Sequence, residues 1–227
     1  MERNGKERLA RRAFLAGAAG GALALLPGCT AMGGFSLVSA IQRLLSLSAQ
    51  RAFARLTAPG GFWDSEVARF DLPELFSTGG PALRGLLTSA LFKTQLQRQL
   101  NLLAERGAER AAPVVYAALR SATIADAPGI VRGGPTAATT FLRAQMGPAL
   151  INAMIPGLTD ALRVASDPVL GQAIRALSGV DLPGVAQAVA IRADNSIWYQ
   201  IGAEETAIRA NPQATGDPLL IGVFKPL

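Results

Sequence analysis

Residues 123–143, T-I-A-D-A-P-G-I-V-R-G-G-P-T-A-A-T-T-F-L-R, hold a helix, a stop and a new helix start in mid-chain. Thr123 and Asp126 have the spacing of a capping pair at the start of a short helix. Gly133-Gly134 predicts a left-handed turn that ends this helix. Pro135-Thr136 then predicts the start of a second helix, which carries an apolar stripe.

Two charged residues make this stretch the first candidate for a functional site. Asp126 is an acid near its start, and Arg143 is a base at its end. With the two glycine amides between them, they would form a polar cluster. Such a cluster does not indicate a particular reaction.

The composition favours packed helices. Half of the 227 residues are hydrophobic but only 6% are aromatic, and Ala, Leu and Gly dominate, which suits helices more than sheets. The length suits one domain, or one domain with appendages. We therefore expect an all-α protein, a single irregular bundle of about seven to nine helices.

Apolar residues recur at three- and four-residue spacing along most of the chain, which indicates amphipathic helices. Prolines and glycines divide them: Pro113 restarts a helix, and Pro156-Gly157 kinks or divides another. Asp217-Pro218 begins a terminal turn. The predicted helices cover residues 35–56, 74–90 (broken at Gly79-Gly80-Pro81), 92–111, 113–119, 147–165, 168–179, 182–192 and 196–209.

Residues 62–73 are the one sizeable stretch without helical spacing. Its second half alternates like a short extended segment. Its aromatic residues, Phe62, Trp63 and Phe70, could line a pocket or plug the end of the bundle, and we favour the plug.

The first 28 residues have the pattern of a signal peptide. A basic segment ends in Arg11-Arg12, and an apolar run covers residues 13–26. A helix of that length is about 21 Å long, too short for a hydrocarbon core of roughly 30 Å. Arg-Arg-x-Phe-Leu before a weakly hydrophobic core resembles a twin-arginine export signal, although ordinary secretory signals also carry paired arginines.

Cys29 is the only cysteine and follows Leu-Pro-Gly, which resembles a bacterial lipobox. We expect it to be lipidated and to become the first mature residue, with residues 29–35 as a tether and 36–227 as the helical domain. Thr30 is not the aspartate that often retains lipoproteins at the inner membrane. We therefore expect anchoring on the periplasmic side of the cell envelope, at the outer membrane.

Several classes of function are excluded by composition. The absence of histidine excludes Ser-His-Asp and Cys-His catalysis and every histidine metal site, and we expect no metal and no cofactor. Removing residues 1–28 lowers the net charge from +6 to +3, spread without a basic stripe. Nucleic acid is therefore not an expected partner.

The last long helix carries a second anomaly. Glu204 falls on the apolar stripe of Ile201 and Ile208, so we expect it to be turned inward and bonded to an arginine of another helix, Arg143 first. On the neighbouring stripe, Glu205 and Arg209 stand four residues apart and can pair along the helix. We expect the two segments to pack together, and Glu205 to matter little.

These motifs resemble a known family. The central D-A-x-x-I-V-x-G-G-x-x-A-A-T-x-F-L-R, the terminal I-x-x-E-E-x-x-I-R-x-N-P, and the upstream G-G-F and D-L-P are similar to the domain of unknown function 4197 family, bacterial envelope proteins that are often lipoproteins. The resemblance covers roughly residues 36–225 and implies an all-helical domain. It carries no activity, cofactor or catalytic residue. Gly79-Gly80-Pro81 and Pro128 fall where the family pattern expects continuous helix.

Three functions remain open. The first is a non-catalytic envelope lipoprotein that binds a protein partner, which predicts an exposed apolar patch. The second is a binding module for an apolar or lipid-like ligand, which predicts a large apolar cavity. The third and least favoured is a hydrolase using Asp126, Glu204 or Glu205, which predicts a carboxylate with a raised pKa in an open cleft.

Overall fold

The computed structural model describes residues 36–73, 76, 80–164, 167–176 and 182–224. Within these ranges the chain forms nine α-helices, one 3-10 turn and no strand, so the predicted all-α bundle is confirmed. The elements are α1 (Leu37–Leu56), α2 (Pro81–Leu87), α3 (Ala90–Ser121), α4 (Ala127–Arg132), α5 (Ala137–Met146), α6 (Ala149–Arg163), α7 (Pro168–Ala176), α8 (Leu182–Ala210), the 3-10 turn Pro212–Thr215 and α9 (Pro218–Phe224).

The 29-residue helix α8 is the centre of the bundle. It packs against α1, α3, α5 and α6. It buries small and branched side chains on several faces, among them Ala186, Val189, Ala193, Ile197 and Ile201. Small side chains allow neighbouring helices to approach closely, so several helices can pack around this central one.

Pro113 does not restart a helix, and Pro156-Gly157 does not divide one. Pro113 lies inside α3 and Pro156 lies inside α6, and both helices continue past their prolines. Each proline is exposed, so the carbonyl that loses its helical N–H partner faces the solvent side of the helix. The buried faces continue through both positions, with Leu158 and Leu162 after Pro156. Tertiary packing therefore overrides the local breaks.

A third predicted break, between residues 192 and 196, is also wrong, because α8 runs through it. Asp194, Asn195 and Ser196 would favour a break if their side chains bonded to nearby backbone. Instead Asp194 and Asn195 accept hydrogen bonds from Arg143. The Ser196 hydroxyl donates to the carbonyl of Ala68 at 2.7 Å. The polar side chains bind other elements and leave the helix intact.

The predicted non-helical stretch is confirmed, and it forms turns and irregular backbone. Side chains of α3 hold it in place. Asn101 accepts a bond from the Phe70 N–H at 3.2 Å and donates to the Phe70 carbonyl at 3.0 Å. Phe62 and Phe70 are buried and meet edge to face with ring centroids 6.4 Å apart, so these two rings plug the core. Trp63 is half-buried, and the guanidinium of Arg69 lies 5.6 Å from its ring centre.

The predicted signal peptide and anchor, with Arg11, Arg12 and Cys29, lie outside the described residues. Gly79, at the predicted interruption, does so too; the helix α2 begins just after it, at Pro81. Among the helices that the structure describes, none is both long enough and apolar enough to cross a bilayer.

Candidate functional site

Glu205 caps the N-terminus of α5 from outside that helix. Its carboxylate accepts hydrogen bonds from the backbone N–H groups of Ala138 (3.0 Å) and Thr139 (2.7 Å) and from the Thr139 hydroxyl (2.6 Å). Thr136, at the N-cap position, makes no side-chain cap of its own. A carboxylate at this position satisfies amides that have no partner within the helix and lies at the positive end of the helix dipole.

Arg209 binds the end of the preceding helix. Its Nη1 and Nη2 donate to the carbonyls of Val131 and Ile130, both at 3.0 Å. Its Nε donates to Glu205 at 2.8 Å, which confirms the predicted pairing along α8. The guanidinium also lies over the ring of Phe224, 4.7 Å from its centre. We call Glu205 and Arg209 with these partners the clamp.

The clamp explains why the predicted left-handed glycine turn is wrong. Gly133 is extended, with φ −68° and ψ −179°, and Gly134 has no positive φ. A left-handed glycine would supply N–H groups to the last carbonyls of α4, but Arg209 supplies donors there. Gly133 is still required for space, since a Cβ there would lie 2.6 Å from the Cβ of Ala137.

The predicted roles of Thr123 and Asp126 also need correction. Asp126 is itself the N-cap of α4, and its side chain accepts a bond from the Gly129 N–H at 2.8 Å. Pro128 therefore falls in the first turn, where a missing N–H costs nothing. Asp126 is exposed and has no hydrogen bond or ion pair with Arg143, so the predicted cluster of these two residues does not form.

Glu204 is turned inward as predicted, with its side chain only 7% exposed. Its arginine partner comes from another helix, but it is Arg55 of α1, whose Nε lies 3.1 Å from Oε1. The Gln200 amide donates to the same oxygen at 3.3 Å. The prediction of Arg143 as the partner is wrong. Glu205, which we expected to matter little, is fully buried, so the structure now favours Glu205 as the more important of the two carboxylates.

Arg143 binds a residue that sequence reasoning did not single out. Its Nη2 donates to Asp194 at 3.0 Å and also to Asn195. Asp194 is buried and accepts a second bond from the Trp198 indole at 2.9 Å. Burial raises the pKa of Asp194, against the opposing effects of Arg143 and Trp198. This network fixes the indole and one edge of the guanidinium.

Two open hollows lie on either side of the exposed part of α8 and meet at Val67 and Ala203, which line both. The α5-side hollow, of about 470 Å³, is lined by Thr136, Thr139, Thr140, Arg143, Trp198, Tyr199, Gly202 and Thr206. The loop-side hollow, of about 590 Å³, is lined by Arg55, Pro59, Gly60, Gly61, Asp64, Ser65, Glu66, Gln200, Glu204 and Ala207. We call this pair of hollows, joined over Ala203, the saddle.

Exposed apolar side chains stand at the saddle. Tyr199 is 68% exposed and Val67 is 47% exposed. The clamp helps to fix the α5 wall. Gly202 makes the close approach possible, because a Cβ there would lie 3.1 Å from Thr136. The saddle is thus a preformed surface with an apolar rim.

Of the described carboxylates, Glu105 comes closest to the pattern expected of a catalytic acid, and sequence reasoning missed it. It is buried, lines a third open hollow of about 810 Å³ between α3 and α7, and has a raised pKa. Burial is the main cause of that rise. Its oxygens, however, accept hydrogen bonds from the backbone N–H groups of Phe62 and Gly60. These contacts give Glu105 a structural role in holding the turn before Trp63.

The described carboxylates do not gather into a metal site: no group of three or more Asp, Glu, His or Cys side chains in the part of the chain covered by the structure could hold an ion. Glu205, Glu204 and Asp194 each bind N–H donors of the protein. As arranged, these carboxylates fasten helices to one another.

Comparison with known families identifies the chain. The model of a family described as "Protein of unknown function (DUF4197)" matches residues 32–225. The chain belongs to the DUF4197 family. No curated protein and no solved structure matches it. In this DUF4197 domain, the two long motifs of the resemblance meet in the clamp: the terminal motif supplies Glu205 and Arg209, and the central motif supplies the helix ends that they bind.

Proposed function

We propose that this DUF4197 protein is a lipid-anchored lipoprotein of the bacterial envelope whose helical domain binds a protein partner at the saddle and performs no chemistry. The observation that carries the binding proposal is the saddle itself. It combines an exposed Tyr199 and Val67 with a wall held by fully buried Glu205. Rigid surfaces with exposed aromatic and apolar side chains are typical of binding sites for proteins.

The anchor proposal is supported by the first 29 residues. Arg11-Arg12, a short apolar run and Leu-Pro-Gly before Cys29 have the order of an export signal followed by a lipidation site. We propose that lipidated Cys29 holds the domain on the periplasmic side of the outer membrane. Two or more acyl chains give stable attachment, whereas one holds a protein only marginally.

A second candidate function is the binding of an apolar small molecule. It is favoured by the α5-side hollow, whose volume of about 470 Å³ lies within the range of ligand pockets. The indole of Trp198 lines it. Against this, the adjoining hollow is lined by Arg55, Asp64 and Glu66, and charged side chains do not suit an apolar ligand.

Replacing the anchor cysteine tests the localisation. Cys29→Ser removes the thioether that would carry the lipid, so the variant should appear in the soluble periplasmic fraction while the wild-type chain stays with outer-membrane fragments. A variant that remains bound to the membrane would contradict the anchor.

Photocross-linking in living cells tests partner binding. A photoreactive phenylalanine analogue at position 199 should give a specific protein adduct. The same group at position 91 is a matched control, because Leu91 is 69% exposed and Tyr199 is 68% exposed. Adducts at both positions, or at neither, would contradict a partner site at the saddle.

A further inference from the structure

We propose that the saddle binds an extended segment of the partner protein that crosses α8 over Ala203, with a carboxylate on the α5 side and a basic side chain on the loop side. This inference rests on the proposed partner-binding function and specifies the chemistry of the partner.

The α5 side is suited to a carboxylate. Among the described residues that line this hollow, Arg143 is the only charged one. Its side chain is 42% exposed, and within the part of the chain that the structure describes only Nη2 is engaged, by Asp194 and Asn195. The N–H groups on Nη1 and Nε therefore remain free to donate, and hydrogen bonds between a guanidinium and a carboxylate are among the strongest that proteins form.

The loop side is suited to a base. Asp64 and Glu66 are exposed and line this hollow. Among the described ion pairs neither has a cationic partner, and Arg55, which lines the same hollow, is paired with Glu204. The two sides of the saddle thus offer opposite charges to whatever crosses it.

The width of the crossing suits a short length of extended chain. A helix with its side chains is about 10–12 Å across, and an extended chain advances about 3.3–3.6 Å per residue. About three or four residues therefore span α8. Ala203 is exposed where the hollows meet. Its small side chain leaves room for a peptide to cross α8 at this point.

The polar lining favours a peptide over a hydrocarbon chain. The hydroxyls of Thr136 and Thr140 line the α5 side and make no hydrogen bond within the described part of the chain. They can bond to the amide groups of an extended peptide, as main-chain bonding does in peptide recognition. An acyl chain would leave these hydroxyls and the charged groups on both sides without partners.

Fluorescence titration of the purified full chain tests this proposal. The Trp63→Phe variant keeps an aromatic ring at position 63 and leaves Trp198, in the wall of the α5-side hollow, as the single reporter. The probes are the peptide acetyl-Lys-Ala-Leu-Glu-amide, two versions in which Gln replaces either Lys or Glu, and the uncharged chain of dodecanol.

We expect the charged peptide to change the Trp198 emission saturably and each Gln peptide to bind about three- to tenfold more weakly. Arg143→Gln should weaken the charged peptide but not the peptide lacking Glu, which assigns the carboxylate to Arg143. The paired change Asp64→Asn with Glu66→Gln should weaken the charged peptide but not the peptide lacking Lys, which assigns the basic side chain to the loop side.

A steric variant tests the crossing over Ala203 without changing Arg143 or the residues bonded to it. Ala203→Phe fills the passage at an exposed position and should weaken binding at least about tenfold, whereas Ala210→Phe, exposed on the same helix but outside the saddle, should not. Equal binding of the charged and Gln peptides, no effect of Ala203→Phe, or displacement of the peptide by dodecanol would overturn this inference. Specific cross-linking at position 199 would then still support the partner site itself, and loss of that cross-linking would refute the proposed function.

Discussion

Glu205 and Arg209 lie one helical turn apart on α8 and bind the ends of two different helices. The carboxylate binds the N-terminus of α5, the guanidinium binds the C-terminus of α4, and the two are 2.8 Å apart. Each charge has the sign that its helix end favours. One turn of the central helix therefore fixes the connection between α4 and α5, and with it one wall of the saddle.

Comparison of two neighbouring glutamates tests which one is structural. Glu205→Gln leaves Arg209, only 11% exposed, without its counter-charge and should lower the free energy of unfolding by about 3–5 kcal/mol. Glu204→Gln disturbs a pair whose arginine side chain is 70% exposed and should cost about 1 kcal/mol or less. Urea denaturation measures both. The reverse ranking would contradict the structural role of Glu205 in the clamp.

Arg209→Lys tests whether geometry matters as well as charge. Arginine reaches Glu205 and two carbonyls of α4 with three different nitrogens, and a lysine ammonium cannot match that planar arrangement. We expect a loss of about 1.5–3 kcal/mol in unfolding free energy. The exposed Arg132→Lys change is the control. If the two variants are equally stable, the bonds to the α4 carbonyls contribute nothing.

The pKa of Glu105 predicts a specific pH dependence. Burial raises this pKa above the ordinary value of 4.5. At pH values between the two pKa values, the carboxyl group is therefore protonated in the folded state and ionised in the unfolded state. Stability contributed by this group is fully present below about pH 4.5 and is lost as pH rises through the folded pKa. Glu105→Gln should flatten the dependence of unfolding free energy on pH over that window, with other groups unchanged. An unaltered pH profile would show that Glu105 is not the source.

The sequence predicts much of the fold because helical spacing reports burial directly. The stripe through Ile201 and Ile208 correctly placed Glu204 inward. The arginine that meets it depends on how α1 packs against α8, and spacing within one helix does not contain that information. Arg143 was therefore assigned to the wrong acid.

Glu205 was misjudged for a different reason. Helical spacing predicts burial reliably only for a helix with one buried face. Helix α8 is buried on several faces, so the neighbouring stripe also faces the interior. The indication of its role lies in α5, where the N-cap residue Thr136 makes no side-chain cap. That missing cap is visible only in the structure. By contrast, Asp126 could have been recognised, since Pro128 fits best in a first helical turn.

The export route is tested by a charge-preserving change at the N-terminus. A twin-arginine signal requires both arginines, so Arg11→Lys together with Arg12→Lys should keep the charge and still block export, with precursor accumulating inside the cell. Helical domains with mostly local contacts fold quickly, which suits export after folding. Normal export of the double variant would assign the signal to the ordinary secretory route.

Hydrogen exchange at the α5 N-terminus tests the clamp most directly. The amides of Ala138 and Thr139 are buried and bonded to Glu205, so in the wild-type chain they should exchange slowly, although they lie in the first turn of a helix, where amides have no helical partner. In Glu205→Gln these two amides should exchange much faster than those in the middle of α6, measured in the same sample. Unchanged protection at Ala138 and Thr139 in that variant would contradict the claim that Glu205 holds α5 in place.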